Sequence, residues 1–471
     1  MTIIDFVERF SEALASFVFY AIPIASVQVN VIVLWLLGAM IFFTIRLGFP
    51  NLRGFGPAIR TLRGDFAPPD AAGQMTSFQA LSTALSGTVG LGNIAGVAIA
   101  IAIGGPGATF WMIVIGFLAM NLKFVEVSMA VRFRQVEADG RVSGGPMFYL
   151  SRGLAQEGRP GLGKALAYIY AILALFALIQ VIQINQSYSQ MSNVLALEQD
   201  RLVGFIYGSV TALLAGIVLV GGAPRVASIT SRLTPAMCAL YMLSCIAILI
   251  INFENLSSAI ATIISSAFSG EAAQGGIVGA FVAGMRRAVY SNEAGIGTAT
   301  MAHAVVRTDQ PVSEGYVALI EPFVDTIVVC SSTALVIVVT GAWQAEHTDI
   351  AMTSAAFATI GGWFPTLLAA AVMLFAFSTI LAAGFYARQV CSFLFGDRAW
   401  AWYIYLAVYC LLLPIGAVVD IIALVNIIDS FFFMLAVPNV IGLYLLTGRM
   451  LEEYHAFRAK LTETAKPPLK S

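Results

Sequence analysis

Charge is what this 471-residue sequence has least of: Asp, Glu, Lys and Arg make up 11% of it, against 59% apolar residues. A soluble domain carries roughly 25% charged residues, so a water-soluble globular fold is excluded. The formal net charge is −1, and no global basic field is available to hold nucleic acid. Histidines are equally scarce. The three present, His303, His347 and His455, are far apart and offer neither a metal-ligand spacing nor a triad signature. The five cysteines (Cys238, Cys245, Cys330, Cys391 and Cys410) all fall in apolar stretches and lack C-x-x-C spacing, which argues against a disulfide framework or a zinc site and reads as buried free thiols. No Ser/Gly-rich linker or Pro-rich tract divides the chain. The opening residues MTIIDFVERFSEAL carry Asp5, Glu8 and Glu12 where a secretory signal has a basic segment, so no cleavable leader is expected. An amphipathic surface helix is expected instead, with Ile3, Phe6, Val7 and Phe10 on one face.

What the sequence does hold is a succession of apolar runs, each long enough to cross about 30 Å of hydrocarbon. Read in windows of about 19 residues, they give eleven spans: span 1 at 29–47, span 2 at 78–103, span 3 at 107–131, span 4 at 165–189, span 5 at 202–220, span 6 at 235–251, span 7 at 277–306, span 8 at 315–341, span 9 at 365–385, span 10 at 401–419 and span 11 at 421–446. A short run at 256–268 reads as a re-entrant or surface helix. Of the 25 Lys and Arg residues, Lys123, Arg286 and Arg287 lie within spans, only Arg9 and Arg201 fall on one side, and the other 20, counting Arg46 at the end of span 1 with the loop it adjoins, fall on the opposite side. Retained positive charge collects in the cytoplasm, so the N-terminus is expected outside and the C-terminus inside. The expected fold is an all-α polytopic membrane protein, divided into an amphipathic segment (1–28), a peripheral span with its loop (29–75), two five-helix repeats (76–255 and 256–448) and a polar tail (449–471).

Two spans contain segments that a continuous lipid-facing helix would not choose. In span 2, S-G-T-V-G-L-G-N-I-A-G runs from Ser86 to Gly96, with four glycines beside Thr88 and Asn93. In span 7, Y-S-N-E-A-G-I-G-T-A-T runs from Tyr290 to Thr300. Each glycine weakens a helix by up to about 1 kcal/mol relative to alanine, and unwound backbone at mid-depth is tolerated only where it lines a polar site. Close helix packing on small residues is the competing reading of either segment alone. The pairing decides between them. Spans 2 and 7 each open a run of five, an odd number inverts the second run relative to the first, and interruptions at corresponding positions of inverted halves point to a transporter site at the midplane.

These segments carry a family resemblance. A-L-S-T-A-L-S-G-T-V-G-L-G-N-I-A-G-V-A-I-A-I (80–101), G-G-P-G-A-T-F-W-M (104–112), K-F-V-E (123–126), S-G-G-P-M-F-Y-L (143–150) and S-N-E-A-G-I-G-T-A (291–299) resemble the alanine/glycine:cation symporters, also called sodium:alanine symporters, over about residues 30–450. Ile113 departs from the family's usual second tryptophan after F-W-M. The resemblance implies a LeuT-type core of five plus five inverted helices preceded by one peripheral helix. It also implies Na⁺-coupled uptake of alanine or glycine, D-alanine included, across a bacterial or archaeal plasma membrane.

A zwitterionic amino acid needs donors for its carboxylate and acceptors for its ammonium, and broken helices present both. The N–H groups around Gly90, Leu91 and Gly92 are assigned to the carboxylate. Carbonyls near Ser291 and Asn292, with help from Thr83 or Ser86, are assigned to the ammonium, and Gly295 joins the substrate set. Sodium wants oxygen ligands, as other hard cations do. The resemblance implies a site built from the carbonyls of Ser86 and Val89 with the hydroxyls of Ser378 and Thr379, against the alternative that these hydroxyls bond back to their own helix. Asn93 is open between a second cation and a capping role, and Gln183 between the site and an interhelical hydrogen bond.

Five acidic residues lie inside spans: Glu126, Glu293, Glu321, Asp325 and Asp429. An ion pair of Lys123 with Glu126 is expected on one helical face, and an Arg286 or Arg287 pair with Glu293 is expected to brace the second break. Asp325 is a candidate to meet a cation, Glu321 to meet loop arginines, and Asp429 is unassigned. The rival readings are a proton-coupled carrier, an intramembrane enzyme lacking a recognisable nucleophile and base, and a channel, which two dissimilar broken helices in one chain do not favour.

Overall fold

The computed structural model describes residues 3–24, 27–68, 70–138, 140–195, 200–269, 276–345, 347–396, 398–419 and 422–464. The chain is a helical bundle throughout. Its β-structure among these residues is confined to two short hairpins, Ala21–Ile24 with Val27–Asn30 and Gln135–Val136 with Val142–Ser143. Among the described residues eight helices are long and apolar enough to cross a membrane, and the pair Ser77–Thr88 and Leu91–Gly104, bent by 61°, passes the same test when taken together. The remaining two expected spans correspond to the 17-residue helices Val31–Leu47 and Gly276–Asn292. Of the expected amphipathic face at the N-terminus, the side chains of residues 3–7 lie outside those described, and Phe10 is exposed.

Spans 4 and 6 differ from the hydropathy reading. Span 6 begins at Gly222, 13 residues before Pro235, and runs unbroken to Ile251 with Arg225 and Arg232 inside it. Arginine stems lie along a helix while their heads reach out, and Arg225 Nη1 donates to the Ile217 carbonyl at 2.9 Å, so its charge does not end the helix. The 256–268 run forms its own helix, Phe253–Phe268, which leaves Arg286 and Arg287 inside the following helix Gly276–Asn292. Span 4 is interrupted, from Pro160–Ala177 to Val181–Val194, and this break has no glycine to announce it.

Loops that the charge count places together do meet. Arg134, after span 3, donates to the carbonyls of Ala304 and Val306 at the end of span 7, of Thr308 just beyond it and of Ala72 before span 2. Burial among these loops lowers its guanidinium from the ordinary value, with the charges of Glu314 and Asp309 opposing. Gln74 N–H donates to the Val305 carbonyl at 2.8 Å and Arg307 N–H to Met75 at 2.9 Å. The C-terminal helix Thr447–Thr464 joins the same face through Arg132–Glu453 and Arg449–Glu157. On the opposite face the N-terminal helix Ile3–Val18 and the hairpin pack beside span 11, with the Phe19 and Phe433 rings 5.3 Å apart.

Close helix approach is made by glycine. A Cβ on Gly284 would stand 2.4 Å from the Ala108 carbonyl oxygen, so span 7 lies directly on the start of span 3.

The side of the membrane is read from charge, and labelling checks it. In intact cells Asp349→Cys, in the loop after span 8, should react with an impermeant maleimide, while Arg141→Cys should react only after permeabilisation. Reaction of residue 141 from outside would invert the orientation.

Candidate functional site

The first break is stitched by one side chain. The inner half-helix Ser77–Thr88 ends where Val89 turns to extended backbone, Gly90 follows at φ −154°, and a single 3-10 turn, Leu91–Asn93, leads into Ala95–Gly104 at an angle of 61°. Asn93 Oδ1 accepts the Gly90 N–H at 2.8 Å. Its Nδ2 donates to Asp325 Oδ1 at 2.6 Å, to the Asp325 carbonyl at 3.1 Å and to Ser291 Oγ at 3.1 Å. The Gly90 N–H is therefore spent internally. Among the described residues the N–H groups of Leu91 and Gly92 have no protein acceptor, and of the two Gly92 lines the cavity. Gly90 φ lies in extended backbone that any residue adopts, so the glycine is needed here for room and not for its conformational range.

The second break uses backbone geometry instead. The helix ends at Asn292, Glu293 takes φ +54°, and Gly295 and Gly297 take φ +89° and +88°, where only glycine is unstrained. Asn292 Oδ1 accepts the Ala294 N–H at 3.0 Å, and Glu293 accepts from the Thr298 hydroxyl. Asn439, in span 11, donates to the Gly295 carbonyl at 2.8 Å and to Glu126 Oε1 at 2.6 Å, and accepts from the Tyr149 hydroxyl. Behind both breaks sits Asp325 on a π-helical stretch, Phe323–Cys330. It accepts from Asn93, from Ser291 Oγ at 2.7 Å and from Thr326 Oγ1 at 2.8 Å. Three donors satisfy a fully buried carboxylate.

Between the breaks lies a small cavity, open at its mouth, with about 70 Å³ of room for the centres of water-sized molecules. Of the expected site residues, Gly90, Gly92, Gln183 and Thr379 line it. Gln183 Oε1 is buried without a hydrogen-bond partner, an acceptor free for an ammonium group. Asn93 and Ser291 stand behind this lining and shape it. The structure does not bring Thr83, Ser86, Leu91, Asn292 or Gly295 to the lining. Thr83 instead bonds Gln79 and Thr230. The sequence reading missed Thr298, Tyr290, Tyr386 and Asp429 as lining groups. Thr298 and Tyr290 belong to the second broken segment, which was the available signal, whereas nothing local distinguishes Tyr386 from any aromatic in an apolar helix.

Ser86, Ser378 and Thr379 meet beside this cavity. The Ser86 carbonyl lies 3.0 Å from Thr379 Oγ1 and 3.4 Å from Ser378 Oγ, and Ser86 Oγ donates to the Ser378 carbonyl at 2.7 Å. Both hydroxyls also bond back to the Phe375 carbonyl, at 2.9 and 3.0 Å. The two readings are compatible: a hydroxyl that gives its proton to Phe375 keeps lone pairs facing the Ser86 oxygen. Val89, as the C-cap of the half-helix, takes its carbonyl out of the helical ladder nearby.

The expected ion pairs form differently. Lys123 pairs with Glu321, Nζ to Oε2 3.1 Å, and not with Glu126. Glu321 Oε1 lies 2.6 Å from His303 Nε2, His303 Nδ1 lies 2.7 Å from Glu314 Oε1, and Glu314 Oε2 accepts from Ser77 Oγ at 2.8 Å. All five side chains are buried. This chain draws on spans 2, 3, 7 and 8, which local spacing could not foresee, because i, i+3 neighbours lose to a carboxylate arriving from another helix. Arg286 and Arg287 form no pair with Glu293. They lie over the Phe19 and Tyr290 rings, at 5.6 and 4.8 Å.

Broken helices at corresponding places in two halves, closing on a polar cavity at mid-depth, define a secondary transporter of the LeuT-type fold. The solved structure of MhsT in complex with L-phenylalanine superposes with a TM-score of 0.57 at 13% identity, covering 82% of this chain and 93% of that one, a likeness of fold alone. Residues 13–471 match the sodium:alanine symporter family, and the chain belongs to it. It is 34% identical over 436 residues to the sodium/alanine symporter AgcS of Methanococcus maripaludis, covering 92% of this chain and 95% of the relative. It is 35% identical to an uncharacterized transporter of Haemophilus influenzae, covering 88% and 90%. The protein is a multi-pass membrane transporter and not an enzyme.

Removing one partner of a buried pair costs about 3–5 kcal/mol. Lys123→Met should therefore lower the thermal unfolding midpoint and the folded yield sharply in detergent, and adding Glu321→Gln should recover part of the loss. Losses that simply add would show that the two side chains are not coupled.

Proposed function

We propose that the protein imports small neutral amino acids, alanine and glycine foremost and D-alanine with them, together with Na⁺, across the cytoplasmic membrane by alternating access. The observation that carries this reading is the convergence of the Ser86 carbonyl with the Ser378 and Thr379 hydroxyls at the edge of a cavity lined by both broken helices. A hard cation is served there by neutral oxygens. Beside it, the Gly92 N–H takes the substrate carboxylate and Gln183 Oε1, with carbonyls of the second break, takes the ammonium. The relative named as a sodium/alanine symporter supports the same ion and substrate. Asp325, which receives the Asn93 amide behind the breaks, is the place for a second cation. The N-terminus lies outside, the tail after Arg449 lies in the cytoplasm, and Na⁺ is cargo.

Proton coupling is a second reading, favoured by one arrangement. His303 has a glutamate oxygen at hydrogen-bonding distance from each ring nitrogen, and a neutral imidazole donates from only one. Counterflow of radiolabelled alanine in proteoliposomes, with Na⁺, Li⁺, K⁺ or a pH gradient imposed separately, distinguishes the two.

Thr379→Val removes one oxygen ligand at nearly constant volume. It should raise the Na⁺ concentration for half-maximal uptake at least several-fold, and an unchanged Na⁺ dependence at normal expression would remove Thr379 from the site.

Gly92→Ala is the sharper test of the carboxylate site. A Cβ there meets nothing closer than 3.8 Å, whereas one on Gly90 would press on Thr379 Oγ1 at 3.3 Å and disturb the cation ligands as well. The Gly92 variant should fold normally yet lose a charge-assisted hydrogen bond worth about 1.5–3 kcal/mol, or roughly 10- to 150-fold in alanine affinity. Affinity within a factor of three of the parent would place the carboxylate elsewhere.

A further inference from the structure

On the face where the positive loop charges gather, a cavity of about 1150 Å³ including its mouth opens between the turn that joins spans 5 and 6 and the turn that joins spans 9 and 10. It shares no lining residue with the central cavity. Three guanidinium groups line it. Arg141 comes from the tip of the hairpin Gln135–Val136 with Val142–Ser143, Arg388 from the end of the helix Phe364–Phe395, and Arg398 from the residue that precedes the helix Ala399–Val418. Among the described lining residues Glu137 is the one acid.

Arg388 is built into its place. Its guanidinium lies 5.7 Å from the centroid of the Trp402 ring, and its Nη1 stands 2.6 Å from where a Cβ on Gly222 would be, so the glycine at φ +67° leaves the room it occupies. The helix Ala399–Val418 starts without a side-chain cap, and the Ala399 N–H, at the cavity wall, has no protein acceptor among the described residues. An uncapped helix start beside guanidinium groups suits an oxyanion. The same wall also holds an acceptor. Gln389 is 6% exposed, and its Oε1 is buried without a hydrogen-bond partner. That oxygen and the Glu137 carboxylate call for hydroxyl donors, so the fitting ligand is an anion that carries hydroxyl groups.

Beside the cavity the surface is apolar and aromatic. Val220, Phe395, Trp400 and Tyr403 are exposed there, and Ile217 and Ile404 continue the same surface along spans 5 and 10. Exposed Trp and Tyr mark the level of the lipid headgroups, and basic pockets between spans at that level take anionic headgroups. We propose that this cavity binds the headgroup of an anionic phospholipid of the phosphatidylglycerol type from the adjoining leaflet. The phosphodiester sits on Arg388, Arg398 and the Ala399 N–H, the glycerol hydroxyls donate to Gln389 and Glu137, and the acyl chains lie along spans 5 and 10. Arg388 and Gln389 belong to the helix that carries Ser378 and Thr379, and Gln74, on the far wall, lies just ahead of the inner half-helix Ser77–Thr88. The lipid therefore bridges the two elements that meet again at the hydroxyl–carbonyl cluster.

The test uses the purified full-length protein, stripped of lipid in detergent and titrated with short-chain phosphatidylglycerol. Bound lipid is counted by native mass spectrometry, and affinity is read from the rise in the thermal unfolding midpoint. One lipid per chain should saturate the parent, with phosphatidylcholine of the same chain length binding far more weakly. The double variant Arg141→Gln, Arg398→Gln changes two exposed side chains, should fold as the parent does, and should lower the affinity roughly 10- to 30-fold. Gln389→Leu should weaken phosphatidylglycerol and leave phosphatidylethanol, a phosphodiester without hydroxyls, unchanged. Equal affinity for phosphatidylglycerol and phosphatidylcholine overturns the proposal, as does parent-like affinity in the double variant. Displacement of the lipid by inorganic phosphate assigns the cavity to a soluble anion and overturns it likewise. A Gln389→Leu variant that treats the two phosphodiesters alike removes the hydroxyl contacts and with them the phosphatidylglycerol assignment. No arm reads alanine or Na⁺, so the outcome is independent of the transport reading.

Discussion

Inside hydrocarbon a helix can be interrupted only if every backbone group freed by the interruption finds another partner, and here one asparagine meets most of that requirement. Asn93 bridges the first break by accepting the Gly90 N–H, and with its amide nitrogen it reaches Ser291 on the second break and Asp325 on span 8. The two breaks are therefore held at a fixed separation by a single side chain. The cavity, the free N–H groups at Leu91 and Gly92 and the placement of the Ser86 carbonyl all follow from that separation. At the second break Asn292 plays a smaller part of the same kind, accepting the Ala294 N–H and donating to Thr326, and the break relies besides on left-handed backbone at Glu293, Gly295 and Gly297, with Asn439 supporting the Gly295 carbonyl from outside.

Much of this was legible in the sequence, and the reason is local. The glycines and polar residues of spans 2 and 7 announce broken helices wherever they are placed, because a continuous helix in lipid gains nothing from them. The hydroxyl pair at Ser378 and Thr379 was a different matter. Its role depends on a carbonyl nearly 300 residues away, and the family resemblance alone singled it out. Where a feature is purely tertiary the sequence was silent or misleading. The gap in span 4 at Leu178–Gln180 carries no breaker residue, yet it contributes a wall of the cavity. Lys123 has an acid three residues away and pairs instead with Glu321, because span 8 brings a carboxylate that is already shared with His303.

The unpaired arginines teach a related lesson. Spacing suggested that Arg286 or Arg287 would neutralise Glu293, about two turns along the same helix. In the folded chain the helix end intervenes: Glu293 is turned by its positive φ toward Thr298, while both arginines face a neighbouring cavity. Two arginines on the helix and Glu293 just past its end thus line two different cavities, which share Tyr290 and Asp429.

The buried chain from Lys123 through Glu321, His303 and Glu314 to Ser77 has a mechanical corollary. Its links join spans 2, 3, 7 and 8 to one another, and the Arg134 contacts bind the ends of spans 2, 3 and 7 once more. Across the cavity, by contrast, span 2 is fastened to span 9 at mid-depth by neutral hydroxyl–carbonyl contacts at Ser86, Ser378 and Thr379. A neutral hydrogen bond contributes about 1 kcal/mol net, several times less than the cost of parting a buried ion pair. The molecule is therefore riveted along one seam and merely buttoned along the other, and the cation site proposed above lies among the buttons, on the seam that yields first.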